Sequence, residues 1–263
     1  MFFNTILKIV TSTLFITTTI FSHTIFAAQL LPEFSTRYGV EKYGIKVAEA
    51  HYQLSHTKSG YTFSQNTKLH GLASMFGNDS VSAISFIDKV GDRLLLTKHK
   101  YTQTGREKNR DEEFEILWHT DKDALNGKIT GLVRGEKIIL QTQSEVWEAL
   151  SFQIPLMIDA NINIKEYPYK AILKGKIDTY NFILKSTKEV SYAGNSYKAL
   201  QMVRTDPHKN RQLHIWLLPD LNNIPIMIET YRKGKLDTHM QLESLQFSNA
   251  NPLIATTDED DEF

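Results

Sequence analysis

Short segments in which apolar and polar side chains alternate recur along most of this chain. In YTFSQNTKL, Tyr61, Phe63, Gln65, Thr67 and Leu69 share one side. FEILWH places Phe114, Ile116 and Trp118 together, and YNFILK places Tyr180, Phe182 and Leu184 together. A period of two belongs to a β-strand with one face buried and one wet. Turn residues separate the runs: KSG at Lys58–Gly60, KVGD at Lys89–Asp92, YAGNS at Tyr192–Ser196 and RKGK at Arg232–Lys235. Such short Gly-, Asn- and Asp-bearing intervals are hairpin connections, so strands adjacent in sequence are expected to pair antiparallel. About ten to twelve strands are predicted.

The stretch HIWLLPDLNNIPIMIE, His214–Glu229, reads as strand, turn, strand. Trp216 shares a face with His214 and Leu218, and neither strand has a fully polar face, so the hairpin is expected to be covered on both sides. Pro219 and Pro225 bracket the turn, where a residue without an N–H does least harm to a ladder. Asp220 is expected to accept backbone N–H bonds there, an ordinary task for a turn aspartate.

Two segments depart from the alternation. GLASMFGND carries Leu72, Met75 and Phe76 at helical spacing, which predicts a short helical turn over about 72–76. TQSEVWEALSFQIPLMIDA predicts a helix over about 142–158: Thr142 and Glu145 fit a capping box, and Trp147, Leu150, Ile154 and Ile158 form a stripe. Pro155 is expected to kink or stop it. One such helix cannot roof so many strands. The fold class expected is therefore mainly β: a large curved antiparallel sheet forming a barrel or half-barrel, with the 142–158 helix capping its open side.

The first residues change the picture of where this domain works. Lys8, an uncharged apolar run over Ile9–Phe21 and the small residues Ala27 and Ala28 have the layout of a secretory signal, residues 1–28. Export to the periplasm, with no transmembrane domain after cleavage, is the expectation. The chain has no cysteine, which closes off disulfides, thiol chemistry and an N-terminal lipid anchor. The tail TTDEDDEF is a like-charge block, so residues 249–263 are expected to be disordered and 29–248 to form a single β-rich domain. Basic and acidic residues are equal in number, 30 each, which gives no reason to expect nucleic acid.

Four segments, taken in order, resemble one family. WLLPDLNNIPIMIE is similar to the late proline-bounded motif of the bacterial exported proteins grouped as domain-of-unknown-function family 3108. YGVEKYGIKVAEAHYQL resembles its opening hairpin, HGLASMFGNDSVSAISFI its glycine-led turn and strand, and KGKIDTYNFILKSTKEVSYAGNSYKALQMVR its late hairpin. The resemblance spans about Tyr38 to Phe247, with Ala48 standing where the family more often has glycine. It implies an exported, cell-envelope, mostly β protein and supplies no catalytic residues to transfer.

Candidate chemistry is thin. Asp206, His208 and His214 form the best histidine cluster, short of the three or four converging ligands a closed metal site needs. Ser55 and Lys58 make an S-x-x-K that lies in a turn and lacks its companion motifs. No cofactor, metal or catalytic residue is expected. A curved sheet can instead enclose an apolar cavity, and Trp118, Trp147, Met157 and Trp216 are the candidate ligand-binding residues, with plain core packing as the alternative. The expected function is a non-enzymatic protein binding a lipid or other acylated, apolar envelope component. The alternative is an envelope protein-interaction or assembly factor acting on a protein partner through an exposed sheet edge.

Overall fold

The computed structural model describes residues 31–69, 80–105, 109–121, 124–206 and 210–248. The expected signal segment, the helical turn over 72–76, His208 and the acidic tail lie outside the described residues. Fourteen strands form one sheet: β1 (Phe34–Lys42), β2 (Ile45–His56), β3 (Gly60–Leu69), β4 (Ser80–Val90), β5 (Arg93–Gln103), β6 (Glu112–Asp121), β7 (Ala124–Val133), β8 (Glu136–Thr142), β9 (Glu166–Leu173), β10 (Lys176–Tyr192), β11 (Asn195–Asp206), β12 (Arg211–Leu218), β13 (Ile224–Arg232) and β14 (Lys235–Phe247). The sheet is an antiparallel meander in which β1 also pairs with β14, so β8 and β9 are the two edges.

Local chemistry explains the meander. Arg134-Gly135, Lys174-Gly175, Ala193-Gly194 and Lys233-Gly234 all have positive φ at both residues, the geometry of the two-residue turn that matches strand twist. The three runs read from the sequence turn their apolar side chains inward: Tyr61 and Phe63, Phe114 and Ile116, and Phe182 are all buried. Irregular register on β1, at Arg37/Tyr38 and Val40/Glu41, and at Phe86/Ile87 and Trp216/Leu217 bends the sheet. The two edges come round toward each other: the β9–β10 turn at Gly175 lies against Val133 and Ile138 of the β7–β8 hairpin. No ladder joins β8 to β9, so the barrel has a seam.

The segment between the edges fills the interior from one end. Trp147 makes a parallel bridge to Ala171, donating to Lys170 O at 2.9 Å and accepting from Ile172 N at 2.8 Å. Val146 precedes it and Leu150, Phe152, Ile154 and Leu156 follow, each at most 5% exposed. Phe152 stacks on Phe182 with centroids 5.3 Å apart. Asn223 in the β12–β13 turn donates to Met157 O and Ala160 O, tying this plug to the barrel wall.

The expected helix over 142–158 is corrected here. The helix, α1, covers only Gln153–Asp159. Thr142 ends β8, and its hydroxyl donates to Ser144 O at 2.8 Å, so it caps no helix. Trp147 spends its backbone groups on β9, and the Glu148 carboxylate takes the N–H groups of Leu150 and Ser151, which removes the bonds a helix there would need. Pro155 is the third residue of α1, in the first turn, where a missing N–H costs nothing, and the helix runs on past it to Asp159. Asp220, an exposed residue of a 3-10 turn over Pro219–Leu221, makes none of the expected bonds among the described residues; Asn223 N closes the turn on Leu218 O at 2.8 Å.

Candidate functional site

An antiparallel meander sends alternate hairpins to opposite ends. The last residues of β2, β4, β6, β10 and β12 share one end with the plug. Those of β1, β3, β5, β7, β9, β11 and β13 share the other. At this second end the plug stops short, and a cavity of about 580 Å3 remains. Its wall draws on β3 to β6 and on β9 to β14, strands from both halves of the sheet, so the sheet wraps round it.

The floor is built by the deepest part of the plug. Glu148, Ala149 and Leu150 face the cavity together with His99, Ala83 and Ile172. Glu148 is 1% exposed and its carboxylate is fully engaged: Ser85 Oγ donates to Oε1 at 2.7 Å, Ser151 N to Oε1 at 2.7 Å and Leu150 N to Oε2 at 2.6 Å. His99, 3% exposed, sits beside it, with Nδ1 3.1 Å from Ser85 Oγ and 3.5 Å from Glu148 Oε2. Because the Ser85 proton goes to the carboxylate, the bond to His99 assigns the imidazole proton to Nδ1. The serine is a buried donor to an anchor, and the cluster fixes the plug to β4 and β5. A carboxylate buried in this way requires such complete hydrogen bonding.

Above the floor the character changes. Gln65, Tyr101, Glu112, Tyr180, Arg204 and Asp206 form half-buried walls, and Arg110, Arg134, Lys174, Arg211 and Arg232 stand exposed at the rim. The Arg204 guanidinium lies 3.6 Å from the centre of the Tyr180 ring, a cation–π contact. Burial holds the Glu112 carboxyl above the usual range, against the opposing pull of His99 and Arg134. Arg134 Nε is 3.8 Å from Glu112 Oε1. Among the described residues no three His, Asp or Glu side chains group as a metal site. His214 instead packs on Tyr231, centroids 4.5 Å apart, with Gln201 and Gln212 amides at its ring nitrogens.

The four residues singled out from sequence are not brought together, and none borders this cavity. Trp118 is half-buried, donates from Nε1 to Leu96 O at 2.7 Å, and lies over Gly127, where any side chain would strike its ring. Trp147 and Met157, 3% and 2% exposed, belong to the plug. Trp147 also borders a second, more open pocket of about 870 Å3, with Arg93, Glu145 and Tyr169. Trp216 is 8% exposed, and Lys188 Nζ stands 5.9 Å from its ring. The hollow is therefore lined by a mixed floor and a charged rim rather than by these three tryptophans and the methionine. The rim had one signal in the sequence: the stretches after β5, β7, β9, β11 and β13 each carry a basic residue, and an antiparallel meander gathers the ends of these strands together.

The comparisons with known proteins agree with this architecture. The fold is similar to the crystal structure of a β-barrel-like protein of domain of unknown function DUF1849 from Brucella abortus, at 10% sequence identity and a TM-score of 0.54. The match covers 84% of this chain and 99% of that one. No curated protein matches the chain. No helix among the described residues is long and apolar enough to cross a membrane. Residues 33–240, most of the chain, match the model of a family described as protein of unknown function, DUF3108, and the chain belongs to that family.

Proposed function

We propose that this is an exported, periplasmic, non-enzymatic binding protein that takes the end of a small amphipathic molecule, such as an acylated envelope component, into the open mouth of its barrel. The observation that carries the reading is the blind cup: one end of the barrel is filled by the protein's own plug, while the other keeps a cavity of about 580 Å3 with Ala83, Leu150 and Ile172 in its floor and polar groups at its rim. Cavities of roughly 300–1,000 Å3 with a few placed polar groups are the common form of small-molecule sites. A wholly apolar ligand suits this mouth poorly, because the rim charges would lose water without gaining partners.

The test uses the protein as recovered from the periplasmic fraction without detergent. Native mass spectrometry should find a retained amphiphile or uptake of one fluorescent fatty-acid probe per chain, and Ala83→Phe should block uptake by filling the floor. Protein that carries no extractable amphiphile and takes up no probe overturns the reading. The same sample should begin near Gln29; protein confined to the cytoplasm with Met1 intact contradicts export.

A second reading, an interaction factor, rests on the uncovered edge of β8, which pairs only with β7 and exposes 73% of Ile139. Edges of this kind accept an added strand from a partner. Crosslinking from residue 139 in the intact envelope would have to recover one recurrent protein partner for this reading to replace the first.

A further inference from the structure

We infer that the mouth selects for an anionic head group, a phosphate or carboxylate, held between Arg204 and the rim arginines Arg211 and Arg232. The inference rests on the reading of the cavity as an amphiphile-binding cup and names the chemistry that the cup recognises.

Three observations carry it. The first is the charge count around the cavity: Arg110, Arg134, Lys174, Arg204, Arg211 and Arg232 face it, against Glu112, Glu148, Asp206 and Asp237. The second is that none of these carboxylates is free. Glu112 lies by Arg134 at 3.8 Å, Asp237 by Lys42 at 3.7 Å, and Glu148 accepts from Ser85 and two backbone N–H groups. Arg110, Lys174, Arg211 and Arg232 make no salt bridge among the described residues. The third is register. Arg211 on β12 stands between Asp206 on β11 and Arg232 on β13, and Arg232 is in turn opposite Lys235 on β14. Like charges placed directly opposite each other repel, a cost that an anion seated between them removes.

Arg204 gives the group a fixed inner wall. Its contact with Tyr180 uses the face of the guanidinium and leaves the N–H donors for another partner, and Tyr180 is itself packed edge-on against Phe152 of the plug at 5.7 Å. The ring and the cation are therefore positioned by the core, whereas Arg211 and Arg232 stand at exposed strand ends. An arginine fork against a phosphate or carboxylate forms paired, charge-assisted hydrogen bonds. A head group entering here would place its attached chain toward Leu150 and Ile172 below.

The test titrates the full chain with octyl phosphate, octyl glucoside and inorganic phosphate at low and high salt. Octyl phosphate should bind at least about tenfold more tightly than octyl glucoside at low salt, and the preference should shrink as salt screens the rim. The double variant Arg211→Gln/Arg232→Gln should lose most of that preference, about tenfold, while its unfolding midpoint stays the same or rises as the repulsion is removed. Equal binding of octyl phosphate and octyl glucoside overturns the head-group inference and leaves the amphiphile cup standing. Inorganic phosphate binding as tightly as octyl phosphate supports the anion site and overturns the amphiphile reading. Binding of none of the three overturns both.

Discussion

The two ends of this barrel are made from the same meander and have opposite characters. At the plug end the interior is filled: Ile154, Leu156, Ile224 and Leu218 are each at most 1% exposed, and the Asn223 amide ties the plug to the wall by donating to Met157 O and Ala160 O. At the mouth the inward side chains are long and charged, and space remains between them. Burial without vacancy stabilises a fold; charges gathered round a vacancy do not. The difference teaches that stability and recognition are housed at opposite ends of one sheet, with Glu148 at the boundary.

That division can be broken by substitutions ordered by expected effect. Ile154→Ala opens a void where neighbours cannot collapse and should cost about 3–4 kcal/mol in urea unfolding. Leu213→Ala, half-buried on the mouth side, should cost about 1 kcal/mol or less by the same measurement; equal losses at the two sites would dissolve the contrast. Glu148→Ala leaves two buried N–H groups and Ser85 without their acceptor, so a loss of about 3 kcal/mol is expected, with Glu148→Gln recovering part of it. Asn223→Ala should cost about 1–2 kcal/mol and should raise hydrogen exchange in α1 before the strands.

The smallest effect sharpens the comparison by pH. Burial raises the Glu112 carboxyl above its ordinary value, so the folded chain holds this proton more tightly than the unfolded chain does. Its contribution to stability is fully present below the unfolded carboxylate value and is lost as pH rises through the folded one. Glu112→Gln should therefore unfold at the same midpoint as the natural chain in acid and at a slightly higher midpoint at neutral pH. A variant less stable at neutral pH would mean that the Arg134 pair outweighs desolvation.

Much of the sheet could be read from the chain because its rules are local. Alternation placed Tyr61, Phe63, Phe114 and Ile116 inward, and the glycine turns at Gly91, Gly194 and Gly234 fall between strands as expected. The hairpin around Pro219 is covered on both sides, with Ile215, Leu217, Ile224 and Ile226 all buried. The plug misled for a physical reason. Its apolar residues are dense because the barrel encloses them from every side, and a densely apolar segment contains three- and four-residue spacings whether or not it is helical. The Ser85–His99–Glu148 cluster left no trace at all, since its members come from two strands and the plug. Aromatic residues were the natural guess for a hollow, but large side chains fill space, and the space left here is bounded by arginines on turns.

The central claim is that the barrel floor is reached through a cationic mouth, and the absence of native cysteine makes it directly measurable. Ala149 lies on the plug at the cavity floor and is exposed, whereas Ala50 on β2 is 0% exposed. Each would be replaced by cysteine, and the rate of thiol modification in the folded protein followed with an anionic and a cationic thiosulfonate. The account predicts that Ala149→Cys reacts while the protein stays folded, faster with the anionic reagent, with the difference fading at high salt, and that Ala50→Cys reacts only on unfolding. A floor thiol that stays unreactive until the chain unfolds, or that prefers the cationic reagent, would contradict it.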